Sequence, residues 1–152
     1  MRNIKRISLL LTFVALSLAA HAQRFEWAKS FYGYGETVHL CYNPSVVSPR
    51  FLLEMYFKAI DPTSLNKQGE DEGTRYRTGI YYTDVADRAV IGDVMAAEAK
   101  KYGLPLQVEV EPLRNFYCAD EYHQDYLDKN PTGYCHLPVA LFEQARNAKD
   151  RR

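Results

Sequence analysis

Glu36-Thr37-Val38-His39-Leu40-Cys41-Tyr42 alternates polar with apolar side chains, is rich in β-formers and halts at Asn43-Pro44, so it reads as a strand. Just beyond it, Ser48-Pro49 offers a helix N-cap and a first-turn proline. Leu52, Met55, Tyr56, Ala59 and Ile60 then recur at helical spacing until Asp61-Pro62 stops them. Thr63 to Thr74 is polar, carries Gly69 and Gly73 and has no period, the pattern of a functional or mobile loop. A second strand is expected from Arg77 to Thr83. A helix is expected from Asp84 to Tyr102, with Ile91, Met95, Ala99 and Tyr102 on its apolar face and Gly103 and Pro105 at its end. Leu106 to Glu111 alternates without a fault and Pro112 closes it, a half-buried strand. A short helix around Asp120 to Lys129, stopped by Asn130-Pro131, and an amphipathic helix from Pro138 onward complete the chain. Strand, helix, strand, helix, strand predicts an α+β fold, a two-layer sandwich with its helices on one face of the sheet.

The chain has 152 residues, 47% hydrophobic and 25% charged, which suits one globular domain. Nineteen basic side chains balance nineteen acidic ones, so the electrostatic footprint of a nucleic-acid binder is missing. Arg2, Lys5 and Arg6 precede an apolar run from Ile7 to Ala20, and Ala20-His21-Ala22 has the small-x-small form that a signal peptidase reads. Residues 1–22 are therefore expected to be a cleaved signal peptide, with residues 23–152 as the domain. The mature protein would be secreted or periplasmic, with a formal charge of about −3. In such a compartment the three cysteines, Cys41, Cys118 and Cys135, can oxidise. His39 and His123 have no metal-ligand spacing with any Cys, and neither a phosphate loop nor a Ser-His-Asp signature is present.

Five motifs stand in order: Gly33-Tyr34-Gly35-Glu36; Ile60-Asp61-Pro62-Thr63-Ser64; Gln68-Gly69-Glu70-Asp71-Glu72-Gly73-Thr74-Arg75-Tyr76-Arg77; Tyr122-His123-Gln124-Asp125-Tyr126; and Asn130-Pro131-Thr132-Gly133-Tyr134-Cys135. Together they resemble methionine sulfoxide reductase A, the family that reduces the S-epimer of methionine sulfoxide, from about Gly33 to the C-terminus. The resemblance implies a ferredoxin-like sandwich. It also implies a chemistry in which a thiolate attacks the sulfoxide sulfur while an acid and hydroxyl donors receive the oxygen. On that reading Glu36 is the acid, and Asp71 and Tyr76 orient and protonate the oxygen. Tyr34, where the family usually has His, and Tyr134 border the substrate pocket. Cys135 matches a C-terminal thiol that some members use for recycling. No bound cofactor or metal is implied. The partners are methionine sulfoxide, free or in proteins, and a thioredoxin-like reductant.

The sequence departs from the family in one respect that bears on activity. The Gly-Cys-Phe-Trp motif that supplies the attacking Cys and an aromatic cage is absent. Between the expected cleavage site and Gly33 there is also too little chain for the family's first strand, helix and strand. Cys41 lies five residues from Glu36 on one strand, so the two point to opposite faces. Cys118, in Phe116-Tyr117-Cys118-Ala119-Asp120, stands where the family commonly has Pro and is the candidate surrogate thiol. The expectation is a family member with little or no turnover, or else a non-catalytic sulfoxide-binding module or a partner-dependent half-domain. Its exposed sheet edge would invite self-association.

Overall fold

The computed structural model describes residues 5–10, 22–28, 35, 37–135 and 137–151. Among them, five strands form one sheet in the order β2-β3-β1-β6-β7. The strands are β1 (Lys5–Leu10), β2 (Ala22–Ala28), β3 (Thr37–Tyr42), β6 (Gly79–Tyr82) and β7 (Glu109–Pro112). A small hairpin of β4 (Lys67–Gln68) and β5 (Asp71–Glu72) stands apart. The longer helices are α1 (Pro49–Ala59), α2 (Asp87–Ala99) and α4 (Val139–Asn147), and α3 (Tyr126–Lys129) is a single turn. β1 is antiparallel to both β3 and β6, while β6 and β7 run parallel across the α2 crossover. This is the α+β sandwich that the element order predicts.

The pleat sorts the side chains into two layers. Ile7, Val38, Leu40, Tyr42, Ile80 and Tyr82 join Phe51, Leu52, Met55 and Tyr56 of α1 and Ile91 and Val94 of α2 in one apolar core. Burying each Leu- or Ile-sized side chain there stabilises the fold by about 1.5–3 kcal/mol. All six β3 residues are buried, so the opposite face is covered as well. On that face Ser8 Oγ and His39 Nδ1 lie 2.9 Å apart, and the Phe116 ring packs on His39 with centroids 4.9 Å apart.

α1 starts where Ser48-Pro49 places it: Ser48 Oγ accepts from Phe51 N at 3.1 Å. Asp150, beyond α4, in turn accepts from Ser48 N at 2.7 Å and from Ser48 Oγ at 2.9 Å, tying the end of the described chain to the start of α1.

Four features differ from the sequence reading. Within residues 1–22, expected to be a leader outside the fold, Lys5–Leu10 is the middle strand of the sheet, and Ala22–Ala28 is the strand beside β3. Both strand positions ahead of β3, expected to be missing, are thereby filled. α2 begins at Asp87, and its buried positions are Asp87, Ile91, Val94 and Glu98, with Ala99 exposed. The face is rotated because two of its carboxylates are paired. Lys5 Nζ reaches Asp87 at 2.8 Å and Asp84 at 3.4 Å, and Lys101 Nζ reaches Glu98 at 2.6 Å. β7 starts three residues later than expected, and its Pro112 is tolerated because this strand ends the sheet. The expected helix from Asp120 to Lys129 is a 3₁₀ turn at Glu121–His123 followed by α3, broken at Asp125, whose φ is +52°.

Candidate functional site

The sheet register brings the starts of β3 and β6 to one end. Leu9 of β1 lies opposite Val38 on one side and Ile80 on the other, Leu10 lies opposite Gly79, and Gly79 lies opposite Glu109. The first residues of β3 and of β6 therefore lie at the same end. Glu36 and Tyr34 lie outside the described residues. Gly35 is buried, and its carbonyl accepts from Thr37 Oγ1 at 3.0 Å as β3 begins.

The loop that carries Asp71 and Tyr76 is built from its own polar groups. Asp61 Oδ1 accepts from Thr63 N at 2.9 Å and Thr63 Oγ1 at 2.7 Å, turning the chain away from α1. Gln68 is buried and bridges back to that turn: Asp61 N donates to Gln68 Oε1 at 2.9 Å, and Gln68 Nε2 donates to Asp61 O at 3.0 Å. Because Gln68 pairs with Asp71, these two bonds also fix the strand that bears the carboxylate. Lys67 pairs with Glu72 across the hairpin, which raises the lysine and lowers the carboxyl from their ordinary pKa values.

Gly73 follows with φ +127°, a conformation that glycine alone adopts without strain. Its N–H donates to Asn66 O at 2.9 Å and its carbonyl accepts from Tyr76 N at 2.9 Å. The 3₁₀ turn Thr74–Tyr76 packs on both β4 and β5, so Asp71 and Tyr76, both half-buried, belong to one compact loop. The Arg75 guanidinium lies over the Tyr76 ring, 5.7 Å from its centroid.

Behind this loop, Tyr56 of α1 is fully buried. Its hydroxyl accepts from Gly79 N at 3.0 Å and donates to Gly79 O at 3.2 Å, which anchors the start of β6. Tyr81 folds back over Gly79 and donates to Glu109 Oε2 at 2.6 Å. Its phenol is pushed up to about 12 by burial and by that carboxylate. Neither Tyr56 nor Glu109 is marked by any motif of the sequence, since their partners lie across a helix-to-sheet contact and a parallel crossover.

The three thiols occupy different settings. Cys41 is buried in β3, Cys118 is exposed, and Cys135 is half-buried with its thiol pushed up by burial. Tyr134 is largely exposed. Among the described residues no group of three or more His, Cys, Asp or Glu side chains could hold a metal ion. A groove of about 540 Å³ lies among α1, α2 and α4, lined by Arg50, Glu54, Lys58, Glu98 and Lys101, and the Asp71–Tyr76 loop takes no part in it.

A family model for peptide methionine sulfoxide reductase matches residues 22–152. The chain belongs to that family. Peptide methionine sulfoxide reductase MsrA of Lachnoclostridium phytofermentans is 52% identical over 116 residues, which span 76% of this chain and 70% of the relative. The crystal structure of Mxr1 from Saccharomyces cerevisiae in reduced form aligns with a TM-score of 0.77 at 29% identity, covering 87% of this chain and 88% of that one. The structure of Mxr1 in complex with Trx2 aligns with a TM-score of 0.58 at 24% identity, over 81% and 84% of the two chains. The sandwich shared with the reduced Mxr1 structure thus extends over most of this chain. The strands ahead of β3, Lys5-Arg6-Ile7-Ser8-Leu9-Leu10 and Ala22–Ala28, contain no cysteine.

Proposed function

We propose that this chain recognises methionine sulfoxide through the loop bearing Asp71 and Tyr76, with Glu36 as the third polar group, and that it turns the sulfoxide over little or not at all. Reduction in this family needs a thiolate to attack the sulfoxide sulfur. The S–O bond breaks, the thioether leaves and the cysteine is left as a sulfenic acid. A second thiol then displaces water to form a disulfide, which an external dithiol reduces. The observation that carries the reading is the placement of the cysteines: none occurs on β1 or β2, Cys41 is buried, and burial pushes the Cys135 thiol up. Oxygen-binding groups without an attacking sulfur can bind but cannot drive cleavage.

A second reading has Cys118 as the attacking thiol. It is exposed, and it lies two residues from Phe116, which packs on His39 of β3. Should turnover occur, the yeast complex with Trx2 supports a thioredoxin-like dithiol as reductant, and Cys135 is then the resolving thiol. The basic-then-apolar N-terminal pattern supports export, although cleavage after Ala22 would remove β1 from the sheet.

The test is dithiothreitol-dependent reduction of methionine-S-sulfoxide, alongside calorimetric titration of the same compound. Background turnover is expected, with binding that weakens in Asp71→Asn and Tyr76→Phe. Robust turnover abolished by Cys118→Ser would replace this reading with the second one. Turnover that survives Cys118→Ser, or a wild-type chain with no affinity for the sulfoxide, would refute both.

A further inference from the structure

We propose that Arg77, Glu109 and Tyr81 form a clamp that positions the turn carrying Tyr76, and so sets where the Tyr76 hydroxyl meets a sulfoxide oxygen. This rests on the reading that Tyr76 is a sulfoxide-binding group. None of the three clamp residues touches the substrate; they are positioning residues.

The geometry converges on one oxygen. Glu109 Oε2 accepts from Arg77 Nε at 3.2 Å and from Tyr81 Oη at 2.6 Å. The same guanidinium donates from Nη1 to Thr74 O at 2.8 Å, and Thr74 opens the 3₁₀ turn that ends at Tyr76. One planar fork thus joins the backbone of the turn to a side chain of β7, which a lysine ammonium, a point donor, cannot reproduce. The far side of the turn is already fixed by Gly73, through its bonds to Asn66 and Tyr76. With both ends held, the Thr74–Tyr76 backbone is left little freedom.

Gly79 makes the arrangement possible. It pairs with Glu109 across the parallel β6–β7 ladder, and a Cβ on it would stand 3.0 Å from the Tyr81 ring. Without that side chain the phenol can lie along the strand and bring its hydroxyl over Glu109. The carboxylate of Glu109 is 46% exposed, and ion pairs so placed contribute little to global stability. Loss of the clamp should therefore loosen the turn locally and leave the fold intact.

The experiment compares Arg77→Ala, Arg77→Lys, Glu109→Ala and Glu109→Gln with the wild-type chain by amide hydrogen exchange and by titration with methionine-S-sulfoxide. Exchange across 73–77 is expected to speed up by about tenfold or more in Arg77→Ala and Glu109→Ala, with the β1 and β3 amides unchanged. Arg77→Lys should not rescue the turn. Glu109→Gln, whose amide oxygen still accepts both bonds, should rescue it in part. Sulfoxide affinity should fall about fivefold or more in step with the exchange. Unchanged exchange in both alanine variants would overturn the clamp. A looser turn with unaltered affinity would overturn its positioning role. Absence of sulfoxide binding by the wild-type chain would instead refute the function reading, and exchange would still decide the clamp.

Discussion

Two buried tyrosines should respond to the same substitution with opposite signs. Tyr56 Oη makes two bonds to Gly79, at 3.0 and 3.2 Å, in a position with no solvent access. Tyr56→Phe removes both and leaves the buried Gly79 amide without its acceptor. At about 0.5 kcal/mol net per neutral bond, plus about 1–3 kcal/mol for the desolvation of an orphaned N–H, the loss is about 2–4 kcal/mol. For a chain of this length that lowers the melting temperature by about 4–16 °C. Tyr42 is equally inaccessible, but among the described residues its hydroxyl has no hydrogen-bond partner. Its phenol is pushed up by burial and then by Asp87 and Asp84. Tyr42→Phe removes a polar group that water no longer solvates, so its effect should lie between neutral and about 1 kcal/mol stabilising. Urea unfolding followed by circular dichroism measures both, with the m-value as a check that the unfolded state is unchanged. A Tyr56→Phe loss below about 1 kcal/mol, or equal losses in the two variants, would refute the hydrogen-bond accounting.

Alkaline pH should destabilise the fold. Tyr81 is pushed up to about 12, and Tyr42 and Tyr56 are held higher by burial, whereas unfolded tyrosines ionise near pH 10. Above pH 10 the native state therefore binds more protons than the unfolded state, and stability falls as pH rises. Lys5, raised by its bond to Asp87, acts in the same direction. The urea midpoint should drop between pH 10 and 12, and phenolate absorbance from Tyr42 and Tyr56 should appear only on unfolding; a midpoint that is flat or rises over that range contradicts this. Thiol labelling should rank Cys118 first, Cys135 slower and Cys41 unreactive until unfolding, and mass spectrometry after brief alkylation at pH 8 reads the order. Faster labelling of Cys135 than of Cys118 would count against the burial argument.

What the sequence shows most clearly is local. Alternation defines β3, and Ser48-Pro49 announces the start of α1 because the cap bond needs only four consecutive residues. The Asp71–Tyr76 loop is legible as a motif but not as structure. Its two-residue strands are too short for a period, and what fixes them is the reach of Gln68 back to Asp61. Long-range pairings are the part that stays hidden. Glu98 and Asp87 look like solvent-facing positions until Lys101 and Lys5 are placed against them, which is why the buried face of α2 turns toward Val94. Glu109 looks like the polar phase of an alternating strand, and only the parallel register with Gly79 brings it to Tyr81. Lys5–Leu10 carries the charge and hydropathy of an export leader and, with the same residues, the requirements of a buried strand.

That double use makes a processed N-terminus and the five-stranded sheet alternative states of one polypeptide. A cut after Ala22 would lift out the strand that, among the described residues, alone bonds to both β3 and β6, leaving two-stranded ribbons on either side of a gap of about 9.6 Å, twice the usual interstrand spacing. Ribbons of that size are marginal in water. The same cut would strand Asp87, whose carboxylate is 4% exposed, without the ammonium of Lys5, and a buried charge deprived of its partner costs about 3–5 kcal/mol. The first residue of the purified, folded protein thus reports whether this polypeptide keeps its keystone.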